Sequence, residues 1–370
     1  MNLSKDNRIV MTLDAGGTNF VFSAIQANEE IIDPIRFPSN GHDLQLLLQT
    51  IIDGFTEVKA KLPVPPTAIS FAFPAPADYP NGIIEEVLNF PSFIGTDGVA
   101  IGPMLKEIFK IPVFINNDGD LYAYGEALSG FLPHINQLLE KAGSPKRFKN
   151  LLGITLGTGI GGGIVNGNRL FGGDNSMASE IWLLRNKIDP SINVEESVSI
   201  RAVQRVYANL SSIDFNDAPS PKEIYEIGKD LMPGNKEGAI EAFHQLGEAL
   251  GDALGNLLTV VDGLAVIGGG LAAAKDLIVP SMMKELDSSF TNLQGQKYTR
   301  IVQKVFYLDD EQELASFLKG DSKTITVPMT DKKITYDPMA RLGVGFSKIG
   351  TSNAISLGAY AYALNNMDQV

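Results

Sequence analysis

The chain has 370 residues, 44% hydrophobic and 20% charged, enough for more than one globular core. Its 30 basic and 43 acidic side chains leave a formal charge of −13, which argues against non-specific binding to nucleic acid or to an anionic membrane. It has no cysteine, so disulfides and thiolate metal sites are excluded, and its three histidines (His42, His134, His244) lack metal-ligand spacing.

The polar start MNLSKDNRIV has no signal-peptide core, and the apolar stretch 264–274 is too short and too rich in glycine to span a bilayer. The expectation is a cytoplasmic protein. Residues 9–13 form an apolar run ending in Asp14-Ala15-Gly16-Gly17-Thr18-Asn19, and a second run, 20–25, follows at once. This predicts two strands joined by a glycine turn. Helical spacing covers 44–58, and a strand at 68–73 leads into Pro74-Ala75-Pro76. Residues 101–109 read as a helix. A buried strand at 113–115 ends in Asn116-Asn117-Asp118, and helical pattern resumes by Leu121.

After the turn-rich 143–147, a strand at 151–156 runs into Gly157-Thr158-Gly159-Ile160-Gly161-Gly162-Gly163, and Ile164 and Val165 begin the returning strand. The unit of strand, glycine turn and strand thus occurs twice, about 140 residues apart, as an internal duplication would leave it. Residues 237–261 have helical spacing, with Gly247, Gly251 and Gly255 every fourth position. Each mid-helix glycine costs roughly 1 kcal/mol against alanine, so another backbone is expected to pack close there. A strand at 264–267, Gly268-Gly269-Gly270 and a helix from Leu271 follow. The segment 298–350 mixes short strands, charges and turns, and the last helix, 355–364, is rich in small residues.

Glycines let backbone amides approach phosphate oxygens without a Cβ clash. Gly16 and Gly17 can serve this way, with the Thr18 hydroxyl as a further donor and Asp14 holding Mg²⁺ through water; a plain hairpin turn is the competing reading. The loop at 157–163 has the same logic, with Thr158 facing phosphate. It lies between strands, so it is not the dinucleotide-binding fingerprint, and no GxxxxGK[ST] loop exists. Two such hairpins facing each other would grip a polyphosphate from both sides. Asp118, at the end of a strand, suits a base for phosphoryl transfer to an alcohol, though Asn117-Asp118 also reads as a helix cap.

Together these segments resemble the ROK family (repressors, open reading frames, kinases) of bacterial sugar kinases, within the actin/hexokinase superfamily. The resemblance rests on 13–25 and 153–165 as phosphate motifs, 71–90 as the sugar-side segment, 116–126 as the segment of the catalytic Asp, and 250–272 as the adenosine site. It implies an α/β fold of two ribonuclease H-like (actin-like ATPase) domains with a central cleft. The smaller domain would be 1–120 completed by helix 355–370, and the larger 121–354, with an insertion at about 298–350. It further implies ATP-dependent phosphorylation of a hexose, first of all glucose at O6, with ATP and Mg²⁺ and a homodimeric assembly. Asp118 would be the catalytic base, and Asn89, Asn117, Glu180 and Glu195 would bind sugar. Asp14, Gly16, Gly17, Thr18, Asn19, Thr158 and Gly159 would face phosphates, and Gly269 and Gly270 the adenosine.

This chain departs from the family pattern most clearly at the zinc segment, with Pro74-Ala75-Pro76 a minor change from the usual Pro-Gly-Pro. Where members carry Glu-x-Gly-His it reads Glu180-Ile181-Trp182-Leu183, and the cysteine zinc loop is absent, so the resemblance implies no structural zinc. Packing by Trp182, Leu183 and Leu184 is the expected substitute. Two alternatives stand beside the kinase: a sugar-binding homologue without turnover, and a sugar-responsive transcriptional regulator. The regulators carry an N-terminal helix-turn-helix, for which the hairpin starting at Ile9 leaves no room.

Overall fold

The structure, a computed structural model, describes residues 3–74, 77–85 and 90–369. In chain order, β1 (Val10–Ala15), β2 (Asn19–Gln26), β3 (Glu29–Glu30) and β4 (Ile35–Pro38) precede α1 (Leu44–Lys61), β5 (Ala68–Ala72), β6 (Ala77–Asp78) and β7 (Ile83–Ile84). Next come α2 (Ile101–Phe109), β8 (Val113–Asn116), α3 (Asp118–Leu128), α4 (Phe131–Lys141), β9 (Leu151–Leu156), β10 (Ile160–Asn166) and β11 (Arg169–Leu170). The chain continues through α5 (Ile200–Ser211), α6 (Pro221–Gly228), α7 (Lys236–Val261), β12 (Leu264–Gly268), α8 (Lys275–Leu286), β13 (Ser289–Thr291) and β14 (Lys297–Thr299). It ends with β15 (Lys304–Tyr307), α9 (Glu311–Lys319), β16 (Lys323–Thr326), β17 (Lys333–Tyr336), β18 (Arg341–Phe346) and α10 (Thr351–Met367).

Two compact units result. One comprises Met1–Gly130, Gly163–Ala178 and Ile349–Val370, the other Phe131–Gly162 and Ser179–Lys348. The first unit thus takes in the whole of α3. The reason is the fit of α3 on α10, where Gly125 and Gly358 let the two backbones meet.

The sheet of the first unit is ordered β3-β2-β1-β5-β8, with β4 also on β2. β1 and β2 form the antiparallel hairpin read from the sequence, while β1, β5 and β8 run parallel. Helix α1 starts where the Asp43 side chain accepts from the Leu46 amide, 3.1 Å away. Its Leu47, Ile51, Phe55 and Val58, one turn apart, are buried on the sheet. The core is aromatic: Phe20, Phe22, Phe55, Phe71, Phe73, Phe90 and Phe93 are all fully covered. Phe22 and Phe55 meet edge to face with centroids 5.1 Å apart.

The second six-stranded sheet is ordered β11-β10-β9-β12-β18-β15. Strands β9, β12, β18 and β15 are parallel neighbours, so both sheets follow one plan of a hairpin extended by parallel strands. That repeated plan is what the duplicated sequence motif anticipates. The glycines of α7 do admit a backbone. A Cβ on Gly251 would lie 2.6 Å from the Met282 carbonyl oxygen of α8, and one on Gly247 would overlap the Ile278 carbonyl. Gly255 instead faces the Arg300 guanidinium, 2.8 Å from where its Cβ would be.

The segment 298–350 contributes to the main sheet. β15 and β18 are strands of the main sheet, with β18 between β12 and β15; only the hairpins β13–β14 and β16–β17 stand outside it. Arg341 disguised β18 in the sequence. It opens the strand yet is buried, because it pairs with Asp337 at 2.6 Å.

Candidate active site

In the first unit the parallel strands all end at one edge, where α/β sheets bind ligands. Asp14 of β1 and Asn116 of β8 both pair in register with Ala72 of β5. The two positions are therefore two strand spacings, about 10 Å, apart. Beyond Asp14, the turn Gly16-Gly17-Thr18 is held from its carbonyl side. Ser39 donates its hydroxyl to the Gly17 carbonyl at 2.6 Å and its amide to the Thr18 carbonyl at 3.0 Å. The amides of Gly16, Gly17 and Thr18 donate to no protein acceptor among the described residues. Gly17 also has open space where a Cβ would be. A turn with engaged carbonyls and free amides is built to receive an anion. Asn19 opens β2 beside it and lends its carbonyl to the tight turn, 2.8 Å from where a Cβ on Gly16 would lie.

Asp118 and Asn117 start α3. Asn117 is the N-cap, accepting from the Gly119 amide at 2.8 Å, so the cap reading holds for it and leaves only its amide nitrogen for a ligand. Asp118 accepts from the same amide at 2.9 Å through one carboxylate oxygen. The other oxygen has no protein partner among the described residues. Asp118 keeps accessible surface, yet the protein packed around it pushes its carboxyl above the usual range. Its own and the Gly119 amides pull it down, and the negative charge of Asp14 adds to the rise. Burial raises Asp14 as well, with Arg36 on β4 opposing.

In the second unit the glycine loop is shorter than the sequence implied. Gly157-Thr158-Gly159 is the turn, and Ile160 already belongs to β10. Gly162 and Gly163 serve packing: a Cβ on Gly162 would lie 2.6 Å from Ile181, and one on Gly163, where the chain has entered the first unit, equally close to Ala123. The Gly157 amide closes the turn onto the Gly159 carbonyl at 2.9 Å, while the Thr158 and Gly159 amides have no protein acceptor among the described residues.

Glu195 lies against this loop. Its carboxylate accepts from the Ile160 amide at 3.3 Å, and its Cδ is 2.8 Å from where a Cβ on Gly159 would sit. Arg201 of α5 neutralises Glu195 at 2.9 Å, binds Glu196 at 2.7 Å, and reaches the Thr158 carbonyl at 3.4 Å. Sequence reading missed Arg201. The spacing Glu195-Glu196…Arg201…Arg205 around the start of α5 was the available signal.

Glu180 is half-buried, sits at the N-cap of a short 3₁₀ turn, Ile181–Leu183, and accepts from the indole N–H of Trp182 within that turn. Trp182 and Leu183 are exposed, so they are not the packing that stands in for zinc. The segment is held instead by Asn186, which is wholly buried. Its side chain donates to the Asn193 carbonyl at 3.0 Å and to Ser197 at 2.8 Å, and accepts from the Ile188 and Asp189 amides at 2.9 and 3.3 Å. Lys187 adds ion pairs to Glu248, at 2.8 Å, and to Glu285. Among the described residues no group of three or more His, Asp or Glu side chains could hold a metal ion.

Gly269 follows β12 with φ 89°, close under the Leu156 backbone where any side chain would overlap, and Gly270 borders open space. Pro76, Ala75 and the expected sugar residue Asn89 lie outside the described residues. No helix among the described residues is long and apolar enough to cross a membrane.

Three comparisons bear on this arrangement. The chain is similar to a glucokinase of known structure from Parabacteroides distasonis, with 54% identity, 99% of both chains covered and a TM-score of 0.89. It is 27% identical to the N-acetyl-D-glucosamine kinase of Vibrio cholerae over 74% of this chain and 87% of that protein. It is 31% identical to the glucokinase of Halalkalibacterium halodurans over 47% of this chain, which spans about half, 49%, of that relative. The two-unit α/β architecture is that of the actin-like ATPase fold. The ROK family model matches residues 10–311, and the chain belongs to the ROK family.

Proposed function

We propose that this protein is an ATP-dependent hexose kinase that transfers the γ-phosphoryl group to a sugar hydroxyl, with O6 of glucose the first acceptor to test. One observation carries the reading: Asp118 is fixed through one oxygen by the Gly119 amide and keeps the other free. Relatives named glucokinase and N-acetyl-D-glucosamine kinase support a glucose-type acceptor.

Phosphoryl transfer needs positioning, charge neutralisation and a base for the hydroxyl proton. In this reading the free oxygen of Asp118 takes that proton as the sugar oxygen attacks phosphorus and the bond to ADP breaks. A carboxylate whose pKa is raised is a stronger base than an ordinary aspartate. The amide of Asn117 orients a neighbouring hydroxyl. The free amides of Gly16, Gly17 and Thr18 bind phosphate oxygens, and the second unit by itself offers the same kind of donors at Thr158 and Gly159. Asp14, which keeps accessible surface although the protein packed around it raises its carboxyl, has no hydrogen-bond partner among the described residues and fits the carboxylate ligand of a hydrated cation. A magnesium ion bound with ATP would reduce repulsion among the phosphate oxygens.

The test is a coupled ADP-release assay across a hexose panel with the wild type and Asp118→Asn. The variant should bind the nucleotide analogue AMP-PNP normally and lose turnover by orders of magnitude. Near-normal turnover would remove Asp118 from the chemistry.

A further inference from the structure

We infer that the second unit carries a separate binding site for a sugar phosphate, in a cavity of about 360 Å³ walled by residues 146–150, Asp262, Gln303 and 340–341. The inference goes beyond the hexose-kinase reading and does not rest on it.

All of these residues belong to one unit. Strands β9, β12 and β18 start at this edge of the sheet, whereas the turn 157–159 and Gly269 follow β9 and β12 at the other edge. The length of β9, about 20 Å, therefore lies between the cavity and the glycine turn.

Three observations meet at the cavity. First, the chain has 43 acidic and 30 basic side chains, yet Lys146, Arg147 and Lys149 stand close together in sequence. None of the three has an ion pair among the described residues. Lys146 Nζ donates to the Met339 carbonyl at 2.8 Å, Arg147 donates to the Ser144 and Lys146 carbonyls, both at 2.7 Å, and the Lys149 ammonium has no partner there. Cations crowded without a counter-charge repel one another, and an anion relieves them. Second, the segment is already pinned. Asn136 of α4 accepts from the Phe148 amide at 2.9 Å and donates to the Phe148 carbonyl at 2.8 Å. The Phe148 ring stacks on Phe317 of α9 with centroids 5.5 Å apart. A pinned segment loses little freedom when it binds. Third, Arg341 in the cavity wall is 2% exposed and pairs with Asp337, but its buried Nε has no hydrogen-bond partner among the described residues. A buried donor without an acceptor is costly, and the cavity beside it is where one can enter.

The lining also names the class of ligand. The amides of Arg147 and Lys149 donate to no protein acceptor among the described residues, so they add donors to the three cations. Asp262 accepts from the Gln303 carboxamide at 2.7 Å and pairs with none of the cations. Cations and amides recognise a phosphate, and a carboxylate with a carboxamide recognises hydroxyls. The volume is in the range of small-molecule sites. A phosphorylated sugar uses all of these groups, and free phosphate only some.

The test is calorimetry on the full chain in saturating AMP-PNP and D-glucose, which occupy the proposed active site. D-glucose 6-phosphate, D-glucose 1-phosphate and inorganic phosphate are the titrants. A sugar phosphate should bind at one per chain, about tenfold tighter than inorganic phosphate, and more weakly as salt is added. Lys149→Glu should weaken that binding about tenfold or more, and Lys149→Arg should keep it, with AMP-PNP affinity and melting temperature unchanged in both. The inference is overturned if neither sugar phosphate binds, or if Lys149→Glu binds them as tightly as the wild type. Inorganic phosphate binding as tightly as both sugar phosphates would also overturn it, since the sugar would then contribute nothing. So would a change in the sedimentation of Lys149→Glu without ligand, which would mean that a second copy covers the cations. Failure of the kinase reading would show as absent turnover and would leave these titrations as they are.

Discussion

Gly125 of α3 and Gly358 of α10 face each other so closely that a Cβ on either would lie 3.0 Å from the backbone nitrogen of the other. A Cβ on Gly358 would also overlap the Leu121 carbonyl oxygen. The crossing fixes the helix that begins with Asp118.

This contact separates a structural glycine from a ligand-facing one. Gly358→Ala must push the helices apart and should cost about 3 kcal/mol or more of unfolding free energy. Gly17→Ala meets open space at ordinary φ, so its stability should match the wild type. If Gly17 faces phosphate, the ATP KM of Gly17→Ala should nevertheless rise. Urea denaturation and steady-state kinetics on both variants check the pair. Equal unfolding curves for the two would contradict the close crossing.

The raised pKa of Asp118 sets both a stability trend and a rate trend. Its folded value exceeds its unfolded one, so the charged form costs stability above the folded pKa, and that cost disappears below the unfolded pKa. Asp118→Asn should therefore melt higher than the wild type at pH 8, with the gap closing as pH falls through the folded pKa of Asp118. In the active enzyme the rate should drop on the acid side as Asp118 protonates. Asp14→Asn removes a neighbouring negative charge, so this drop should move to lower pH. Melting curves and pH–rate profiles read the two effects; an acid limb that moves upward in Asp14→Asn would reverse the sign.

Glu195 and Arg201 clasp the second glycine loop, the first at the Ile160 amide and the second at the Thr158 carbonyl. Arg201→Ala leaves a bare carboxylate beside the two amides proposed to bind phosphate. AMP-PNP binding, measured by calorimetry, should weaken roughly tenfold. Adding Glu195→Gln removes the repulsion and should restore most of that affinity. A double variant as weak as Arg201→Ala would show that Arg201 acts by another route.

The segment around Trp182 depends on Asn186. Asn186→Ala strands the two amides that its carbonyl oxygen accepts from and should destabilise the protein by about 1–3 kcal/mol, with faster amide exchange at 186–197. If the Asn186 hydrogen bonds hold the segment, EDTA should leave the melting temperature unchanged. A melting point lowered by EDTA would contradict this.

The sequence by itself determined the elements whose pattern is local. β9 and α2 fall at the residues expected from spacing, and the hairpin around Gly16-Gly17 and its duplicate at 157–159 are where apolar runs meet glycine. The glycine turns and Asp118 were also visible as motifs, and both lie at strand ends. Only the tertiary structure decided what depends on neighbours distant in sequence. A glycine in 157–163 can face a phosphate or a helix, and only packing assigns Gly163 to Ala123. Arg341 looks like surface until Asp337 pairs with it, which is why β18 was hidden. Trp182 and Leu183 look like core until the burial of Asn186 makes them dispensable there. Local free energy follows from the residue itself; burial, charge pairing and close backbone approach belong to pairs that the chain order does not name.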